Sequence, residues 1–326
     1  MALRILDAAQ IDQLLPLGEC IDVMAEAMQA ASRGAVAIPQ RMAVPLIDGS
    51  AAMYLMPGST LQPPVYGAKL ISLHPRNAAQ GRPVIQGFVV LFEHDTGVPV
   101  ALVEGARLTL LRTAAASGLA TRTLARADAG SHGIFGAGPQ AAVHARAIAA
   151  VRKIARVVIW ARNHDKAQAL AAELRAELDS EVVASPDPAV AGACDVVTTV
   201  TASSEPVLQG AWLRPGAHLN LVGAHSPTTR ESDDEVARRS RIYVDLLQSA
   251  LNEAGDLLLP MQAGIIERSA IVAELGQVLS GAAPGRSDDS QITLYKSLGI
   301  VAQDLAAAAY VYQQAVARGV GTVVAF

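Results

Sequence analysis

The sequence of 326 residues has little cysteine, few aromatic residues and no strong excess of one charge. Its two cysteines, Cys20 and Cys194, cannot form a disulfide framework, and no spacing of Cys and His resembles a metal site. We therefore expect no bound metal and a reducing compartment, the cytoplasm. A net charge of −4 with only 4% aromatic residues also argues against a nucleic-acid-binding surface.

Long hydrophobic runs are absent too, although hydrophobic residues make up 51% of the chain. Even the alanine-rich stretch from Leu298 to Val320 carries polar side chains such as Asp304 and Arg318. No segment is apolar for the length that a bilayer requires, and the first residues lack the apolar core of a signal peptide. We therefore expect no membrane association. The length favours two domains rather than one.

A glycine-rich turn lies between a short apolar strand and an alanine-rich helix over residues 131–151. Gly136, Gly138 and Ala141 form a GxGxxA pattern, which is typical of dinucleotide-binding βαβ units. Gly136 permits the tight turn, Gly138 lets backbone N–H groups approach a pyrophosphate, and Ala141 lets the helix pack closely on the strand. An ordinary strand-to-helix turn is the alternative. The run Val157–Trp160, however, follows at the spacing of a second βαβ strand.

The residues after this second strand favour NADP over NAD. An NAD site usually has Asp or Glu there to bind the ribose 2′-OH, whereas this chain has Ala161, Arg162 and Asn163. Because a guanidinium suits a 2′-phosphate, we predict NADPH as the cofactor, with NADH as a possible substitute. The alternative is that Arg162 is an ordinary solvated loop residue. The predicted cofactor-binding residues are Arg112, Gly136, Ala137, Gly138, Gln140, Arg162, Asn163, Thr201, Val222, Gly223 and Ser297.

The order of patterns along the chain predicts an α/β protein with two domains. Residues 7–32 have the apolar spacing of two helices, and residues 39–103 contain short β-like runs divided by turn residues, which predicts an antiparallel sheet. From residue 131 strands and helices alternate, as a parallel sheet requires. A final helix from Ser297 to about Arg318 can return to the first domain. We therefore predict one α+β domain over 1–120 and 300–326, and a Rossmann-type domain over 121–299, with the substrate in the cleft between them.

Three cations, Arg41, Lys69 and Arg112, lie in or beside apolar elements of the first domain. A charge among apolar neighbours must reach water, a partner or a ligand. Each alone can extend to the surface, but together they suggest an anionic ligand, because arginine binds carboxylates bidentately and a desolvated lysine can act as an acid or base. A second polar site follows a strand at Gly223, where His225 is either an acid–base group or an ordinary surface residue.

These motifs resemble the ornithine cyclodeaminase/mu-crystallin family, and most closely its ketimine reductase branch. The resemblance implies a homodimer formed through the first domain, which then serves substrate binding and dimerisation, and a nicotinamide cofactor in the Rossmann-type domain. It also implies that Arg41, Lys69 and Arg112 hold the carboxylate and imine of the substrate. The matching segments cover nearly the whole chain: 39–41, 67–69, 91–93, 111–115, 135–138, 204–206, 215–220, 223–231 and 296–299.

The chain departs from the cyclodeaminases in the loop after Gly223, where His225 replaces their aspartate. It also has Val84 and Ile85 where mu-crystallin carries a Ser-His pair near the cofactor. The resemblance therefore implies NADPH-dependent reduction of cyclic ketimine carboxylates, Δ1-piperideine-2-carboxylate and Δ1-pyrroline-2-carboxylate, to L-pipecolate and L-proline. Lys69 is the predicted catalytic residue, with Lys69 or solvent as the proton source. The alternatives are an ornithine cyclodeaminase, an alanine-dehydrogenase-like enzyme, or a mu-crystallin-like ligand-binding protein without turnover.

Overall fold

A computed structural model describes residues 2–325, apart from the side chain of Ala78. These residues form two compact units, the first made of residues 2–112 and 299–325 and the second of residues 113–298. The sequence analysis placed the corresponding divisions at 120/121 and 299/300.

The strands and α-helices of residues 2–325 are numbered in chain order. The strands are β1 (Ala2–Leu6), β2 (Val36–Ala37), β3 (Met42–Pro45), β4 (Ala52–Leu61), β5 (Pro64–Leu73), β6 (Ile85–Glu93), β7 (Pro99–Glu104), β8 (Ser131–Phe135), β9 (Arg156–Trp160), β10 (Glu181–Ala184), β11 (Val196–Thr199), β12 (His218–Leu221), β13 (Ser240–Val244), β14 (Ile271–Glu274), β15 (Ile292–Lys296) and β16 (Thr322–Ala325). The helices are α1 (Ala8–Leu14), α2 (Leu17–Ser32), α3 (Gly105–Leu124), α4 (Pro139–Val151), α5 (His164–Arg175), α6 (Pro188–Gly192), α7 (Asp234–Arg239), α8 (Leu247–Glu253), α9 (Gly255–Gln262), α10 (Leu275–Leu279) and α11 (Val301–Arg318).

The first unit is built on a sheet with the strand order β16-β1-β7-β6-β5-β4-β2, and β3 also pairs with β4. Strands β4 to β7 pair antiparallel in sequence order, which confirms the predicted antiparallel sheet. The pairings of β1 with β7 and with β16 were not predicted, because they join residues 2–6 to strands about 100 and about 320 positions later. Helix α11 packs against α2 and against strands β4 and β5.

The two faces of this sheet differ. On the face towards α11, Val89 and Leu91 are fully buried, and Gly58 lies so close to the helix that an added Cβ would be 2.6 Å from Cγ1 of Val301. The opposite face of β3 to β6 is apolar and open, because its alternating side chains point away from α11. Large apolar side chains that are more than a third exposed on this face are Met42, Val44, Met53, Leu61, Tyr66 and Phe88.

The second unit contains a sheet of eight parallel strands in the order β10-β9-β8-β11-β12-β15-β13-β14. The first five follow the order 3-2-1-4-5 of a Rossmann fold, so the predicted Rossmann-type unit is confirmed. The strand order reverses between the parallel neighbours β8 and β11, and ligands of such sheets bind at the carboxyl ends of these strands. The glycine turn that follows β8 lies at this edge.

The last helix begins later than the sequence predicted. Its first residue is Val301 rather than Ser297, because residues 297–299 continue from β15 in a non-helical conformation. Gly299 has a φ of +76°, which is outside the helical range and strained for any residue with a Cβ. The segment 297–299 is therefore a connection with its own conformation, and it leads directly into the first turn of α11.

Candidate active site

Two of the three predicted substrate cations share one carboxylate oxygen in the first unit. Lys69 lies in the middle of β5 with only 2% of its surface exposed, and its Nζ donates to Oδ1 of Asp304 over 3.0 Å. Arg112 of α3 donates from Nε to the same Oδ1, also over 3.0 Å. Asp304 lies in the first turn of α11 and is itself fully buried.

Arg41, the third cation, joins the same region through the connection before α11. Its Nη2 donates to the carbonyl oxygen of Gly299 over 3.0 Å, and Arg112 donates from Nη1 to Oε1 of Gln303 over 2.9 Å. A Cβ on Gly299 would lie 2.4 Å from Nη1 of Arg112, so only glycine lets the backbone pack on the guanidinium. The segment 299–304 therefore gathers the three cations that the sequence analysis selected.

The charges of this cluster suit an anionic ligand. Burial, and then the nearby guanidinium groups of Arg112 and Arg41, lower the pKa of Lys69, while the carboxylate of Asp304 raises it; together they bring this pKa to about 8. Three cations around one carboxylate leave an excess of positive charge, which a substrate carboxylate can neutralise.

Sequence analysis missed Asp304 as a site residue, although it noted the residue in this helix. The available signal was a charged side chain, next to Gln303, in an otherwise apolar first turn.

The predicted cofactor turn has the conformation that its glycines suggest. Gly136 has a φ of +123°, and a Cβ there would lie 2.8 Å from the carbonyl oxygen of Val200. Gly138 begins α4 as its N-cap residue, and no atom lies within 4 Å of where its Cβ would be. This helix end has no side-chain cap, so an anion can approach the backbone at Gly138.

A cavity of about 390 Å³ opens beside this turn. Six of the predicted cofactor residues line it, and the other five, Arg112, Gln140, Val222, Gly223 and Ser297, are outside its lining. It also contains Lys166, which the sequence analysis did not select. The lining residues are Gly136, Ala137, Gly138, Trp160, Ala161, Arg162, Asn163, Lys166, Val200, Thr201, Ala202 and Val207.

In the second unit, the buried carboxylate of Glu231 accepts hydrogen bonds from residues at the carboxyl ends of both β11 and β12. Its Oε1 accepts from the backbone N–H and the hydroxyl of Thr201, over 2.6 and 2.7 Å. Its Oε2 accepts from the hydroxyl of Thr199 over 2.8 Å and from the N–H of Gly223 over 2.6 Å. Burial and the nearby carboxylate of Asp256 raise the pKa of Glu231. This carboxyl group fixes the backbone at two of the predicted cofactor positions.

A buried ion pair supports the same edge. Lys296, at the end of β15, donates from Nζ to Oδ2 of Asp256 over 2.9 Å and to the carbonyl oxygen of Ala224 over 2.6 Å. The next residue, Ser297, has a buried Oγ without a hydrogen-bond partner among residues 2–325. The turn at Gly138 and this unpaired hydroxyl fit a nicotinamide dinucleotide, which needs donors for its phosphates and a polar partner for its amide. His225 is exposed, with Nδ1 3.1 Å from the carbonyl oxygen of Gly223.

Two further features of residues 2–325 concern metals and membranes. No group of three or more His, Cys, Asp or Glu side chains is arranged to hold a metal ion within this part of the chain. None of its helices is both long and apolar enough to cross a membrane.

The sequence model of the ornithine cyclodeaminase/mu-crystallin family matches residues 2–319. The chain belongs to this family. Among curated relatives, it is 36% identical over 325 residues to the Δ1-pyrroline-2-carboxylate reductase of Bacillus cereus, and the match covers 99% of each chain. The resemblance on which the sequence analysis relied is thereby confirmed.

Solved structures of family members have the same fold. The Δ1-pyrroline-2-carboxylate reductase of Thermococcus litoralis, in complex with NADH and L-proline, matches with a TM-score of 0.95 and 33% identity, covering 98% of this chain and 99% of that one. An archaeal alanine dehydrogenase dimer with bound NAD matches with a TM-score of 0.94 and 28% identity, covering 100% of both chains. A nicotinamide cofactor is therefore a property that these neighbours share.

Proposed function

We propose that the protein reduces cyclic α-imino carboxylates with a nicotinamide cofactor, converting Δ1-pyrroline-2-carboxylate to L-proline and Δ1-piperideine-2-carboxylate to L-pipecolate. The observation that carries this proposal is the cluster of Arg41, Lys69 and Arg112 around the 299–304 segment of a chain that also has a dinucleotide turn. The family relatives named as Δ1-pyrroline-2-carboxylate reductases support it.

In the proposed mechanism the guanidinium groups of Arg41 and Arg112 bind the substrate carboxylate, and Lys69 lies near the imine nitrogen. When bound, the reduced nicotinamide supplies the hydride that the imine carbon accepts. Lys69 holds or delivers the proton on the imine nitrogen, which makes the neighbouring carbon more electrophilic towards hydride. The residues hold the reacting carbon in one orientation, which removes much of the entropic cost of the reaction.

We propose NADPH as the preferred cofactor. Arg162 and Lys166 both line the cavity beyond β9, and the residues at this strand end, 161–163, include no carboxylate that would select a free 2′-OH. Two cations at this place suit a 2′-phosphate. The structural neighbours bind NADH or NAD, so the preference is a property proposed for this chain.

We also propose a homodimer formed through the open apolar face of β3 to β6. Exposed apolar surface of this kind marks an interface, and the archaeal alanine dehydrogenase neighbour is a dimer. A cytoplasmic location is proposed from the two cysteines, Cys20 and Cys194, which are buried and unbridged.

A steady-state substrate panel tests the activity. We expect oxidation of NADPH with both cyclic imino acids. We expect no ammonia release from ornithine with NAD, because exposed His225 replaces the aspartate that the cyclodeaminases have. Ornithine cyclisation, or reduction of pyruvate with ammonia in preference to the imines, would favour the cyclodeaminase or the alanine-dehydrogenase alternative. Tight NADPH binding without turnover of any substrate would indicate a ligand-binding protein.

A further inference from the structure

Asp304 is a buried carboxylate whose place in the cation cluster the proposed mechanism leaves unexplained. A single oxygen, Oδ1, accepts from Lys69 of β5 and from Arg112 of α3. These two donors are 43 residues apart in sequence, and Asp304 lies almost 200 residues after the later one. Such a bridge between distant elements defines the positions of both cations relative to α11.

The bridge limits the motion of the lysine in particular. A lysine side chain has four rotatable carbons and a compact charge, so a hydrogen bond at Nζ is what fixes its direction. Arginine is already planar, and its Nη1 has a separate acceptor in Gln303. Loss of the Asp304 carboxylate would therefore affect the placement of Lys69 more than that of Arg112.

The charges around Lys69 also indicate a specific role for Asp304. Lys69 is buried and lies near Arg112 and Arg41, and all three influences favour the neutral amine. Asp304 is the group in this set that favours the ammonium form. This carboxylate accepts hydrogen bonds from both cations and lies in the first turn of α11, near the positive end of the helix dipole.

The second oxygen of Asp304 argues against a purely structural role. Oδ2 is buried and has no hydrogen-bond partner among residues 2–325. A buried carboxylate oxygen left unpaired is costly, so an apolar residue or a fully bonded amide would serve stability better.

We propose that Asp304 is a positioning residue for imine reduction: it keeps Lys69 in the ammonium form and directs its Nζ towards the substrate nitrogen. This inference rests on the proposed function. In the step it supports, an Nζ–H bond of Lys69 breaks and an N–H bond forms at the imine nitrogen, while the hydride from the cofactor forms the new C–H bond. Lys69 is left as a neutral amine beside Asp304 and regains its proton from solvent.

The first test is the pH profile of kcat/KM for Asp304→Asn, which removes the charge and keeps the shape. Without the carboxylate the pKa of Lys69 falls, so the ammonium form is lost at lower pH. We expect the factor by which kcat/KM falls to be at least about five times larger at pH 8 than at pH 6, with the KM for NADPH unchanged. The matched control is Asp12→Asn, which removes a half-exposed carboxylate of the same unit and leaves the profile unchanged.

A second measurement does not depend on turnover. The chain has four lysines, at positions 69, 153, 166 and 296, so the Cε signals of ¹³C-labelled lysine can be assigned one by one. We expect the signal of Lys69 to titrate near pH 8 in the wild-type protein and at least about one unit lower in Asp304→Asn. An unchanged titration of Lys69 would refute the inference. If the wild-type protein reduces no imine, the proposed function is wrong. The titration still shows whether the carboxylate of Asp304 keeps Lys69 in the ammonium form.

Asp304→Glu separates charge from position and also serves if the asparagine variant does not fold. The longer side chain keeps the negative charge but moves it by one carbon. We expect Lys69 to stay protonated as in the wild type while kcat falls about tenfold or more, because the direction of Nζ changes. A glutamate variant with normal kcat would overturn the positioning role.

Discussion

At the scale of single residues, Lys69 carries the most specific expectation. For Lys69→Ala we expect kcat to fall by about a hundredfold or more with NADPH affinity retained, since a positioned general acid contributes roughly 10²–10⁴-fold. Lys69→Arg keeps the charge without the compact donor, so it should restore substrate binding better than turnover. Steady-state kinetics with a cyclic imine decide this. A near-normal kcat in Lys69→Ala would leave Lys69 as a carboxylate anchor only.

Arg162 carries the proposed preference for NADPH. Losing a charge-assisted contact to the 2′-phosphate costs roughly 1.5–3 kcal/mol, so Arg162→Ala should raise the KM for NADPH about tenfold or more and leave that for NADH nearly unchanged. Lys166→Ala should act in the same direction. Lys153→Ala removes an exposed cation that does not line the cavity and is the matched control. An equal loss for both cofactors would contradict the assignment.

The three clustered cations were predictable one by one because a charge among apolar neighbours is conspicuous in a sequence. Arg41, Lys69 and Arg112 were selected in this way, and the structure gathers them around residues 299–304. Their shared partner Asp304 was not selected, because no local pattern links an aspartate in the last helix to a lysine in a strand 235 residues earlier.

At the scale of elements, Glu231 holds the ends of β11 and β12 together. In Glu231→Gln a single carbonyl oxygen replaces two carboxylate oxygens that accept several hydrogen bonds, so buried donors lose their partners at about 1–3 kcal/mol each. We expect a lower melting temperature and a raised KM for the cofactor. Glu235→Gln, which removes an exposed ion pair with Arg238, should change neither. Thermal unfolding with and without NADPH is the measurement.

Three buried histidines of the second unit make its stability depend on pH. Burial lowers the pKa of His132 to about 3, of His144 to about 4 and of His218 to about 3. The unfolded chain takes up protons on them below about pH 6.5 while the folded chain does not, so stability is lost as pH falls from there towards the folded pKa values. Each histidine contributes up to about 1.4 kcal/mol per pH unit in this range.

Replacing one of them tests this linkage. His132 donates or accepts at Thr198 through Nε2 over 2.9 Å, and His132→Gln can keep a similar contact without titrating. We expect the free energy of unfolding of His132→Gln to fall less steeply between pH 6.5 and pH 4.5 than that of the wild type. His94→Gln, at an exposed histidine, should leave the slope unchanged. Equal slopes for wild type and His132→Gln would contradict the assigned cause.

At the scale of the whole molecule, the open face of β3 to β6 should determine the oligomeric state. Phe88→Glu places a charge on this face and should raise the dimer dissociation constant at least about tenfold, the equivalent of roughly 1.4 kcal/mol. Val190→Glu, at a similarly exposed apolar residue of the second unit, is the control and should not change it. Analytical ultracentrifugation measures both. A monomeric wild type, or a dimer insensitive to Phe88→Glu, would contradict the interface.

The sequence by itself determined the fold class and the location of the glycine turn after β8. The GxGxxA pattern and the alternation of strands and helices are local, because turn conformation and apolar spacing depend on residues a few positions apart. Strands β4 to β7 were predicted for the same reason. The predicted start of α11 was wrong, because the conformation of residues 297–299 depends on tertiary contacts that no local sequence pattern shows.

Only the tertiary structure decided how the charged groups are paired. The contacts of Asp304 with Lys69 and Arg112, and of Lys296 with Asp256, join residues that are 40 to 235 positions apart. Such pairs form because burying each charge alone is costly, and the sheet packing brings a compensating charge to it. The spacing of residues along the sequence does not predict that packing. The amino-acid sequence therefore indicates which charged residues are in unusual surroundings, and the fold decides which of them form ion pairs and hydrogen bonds with one another.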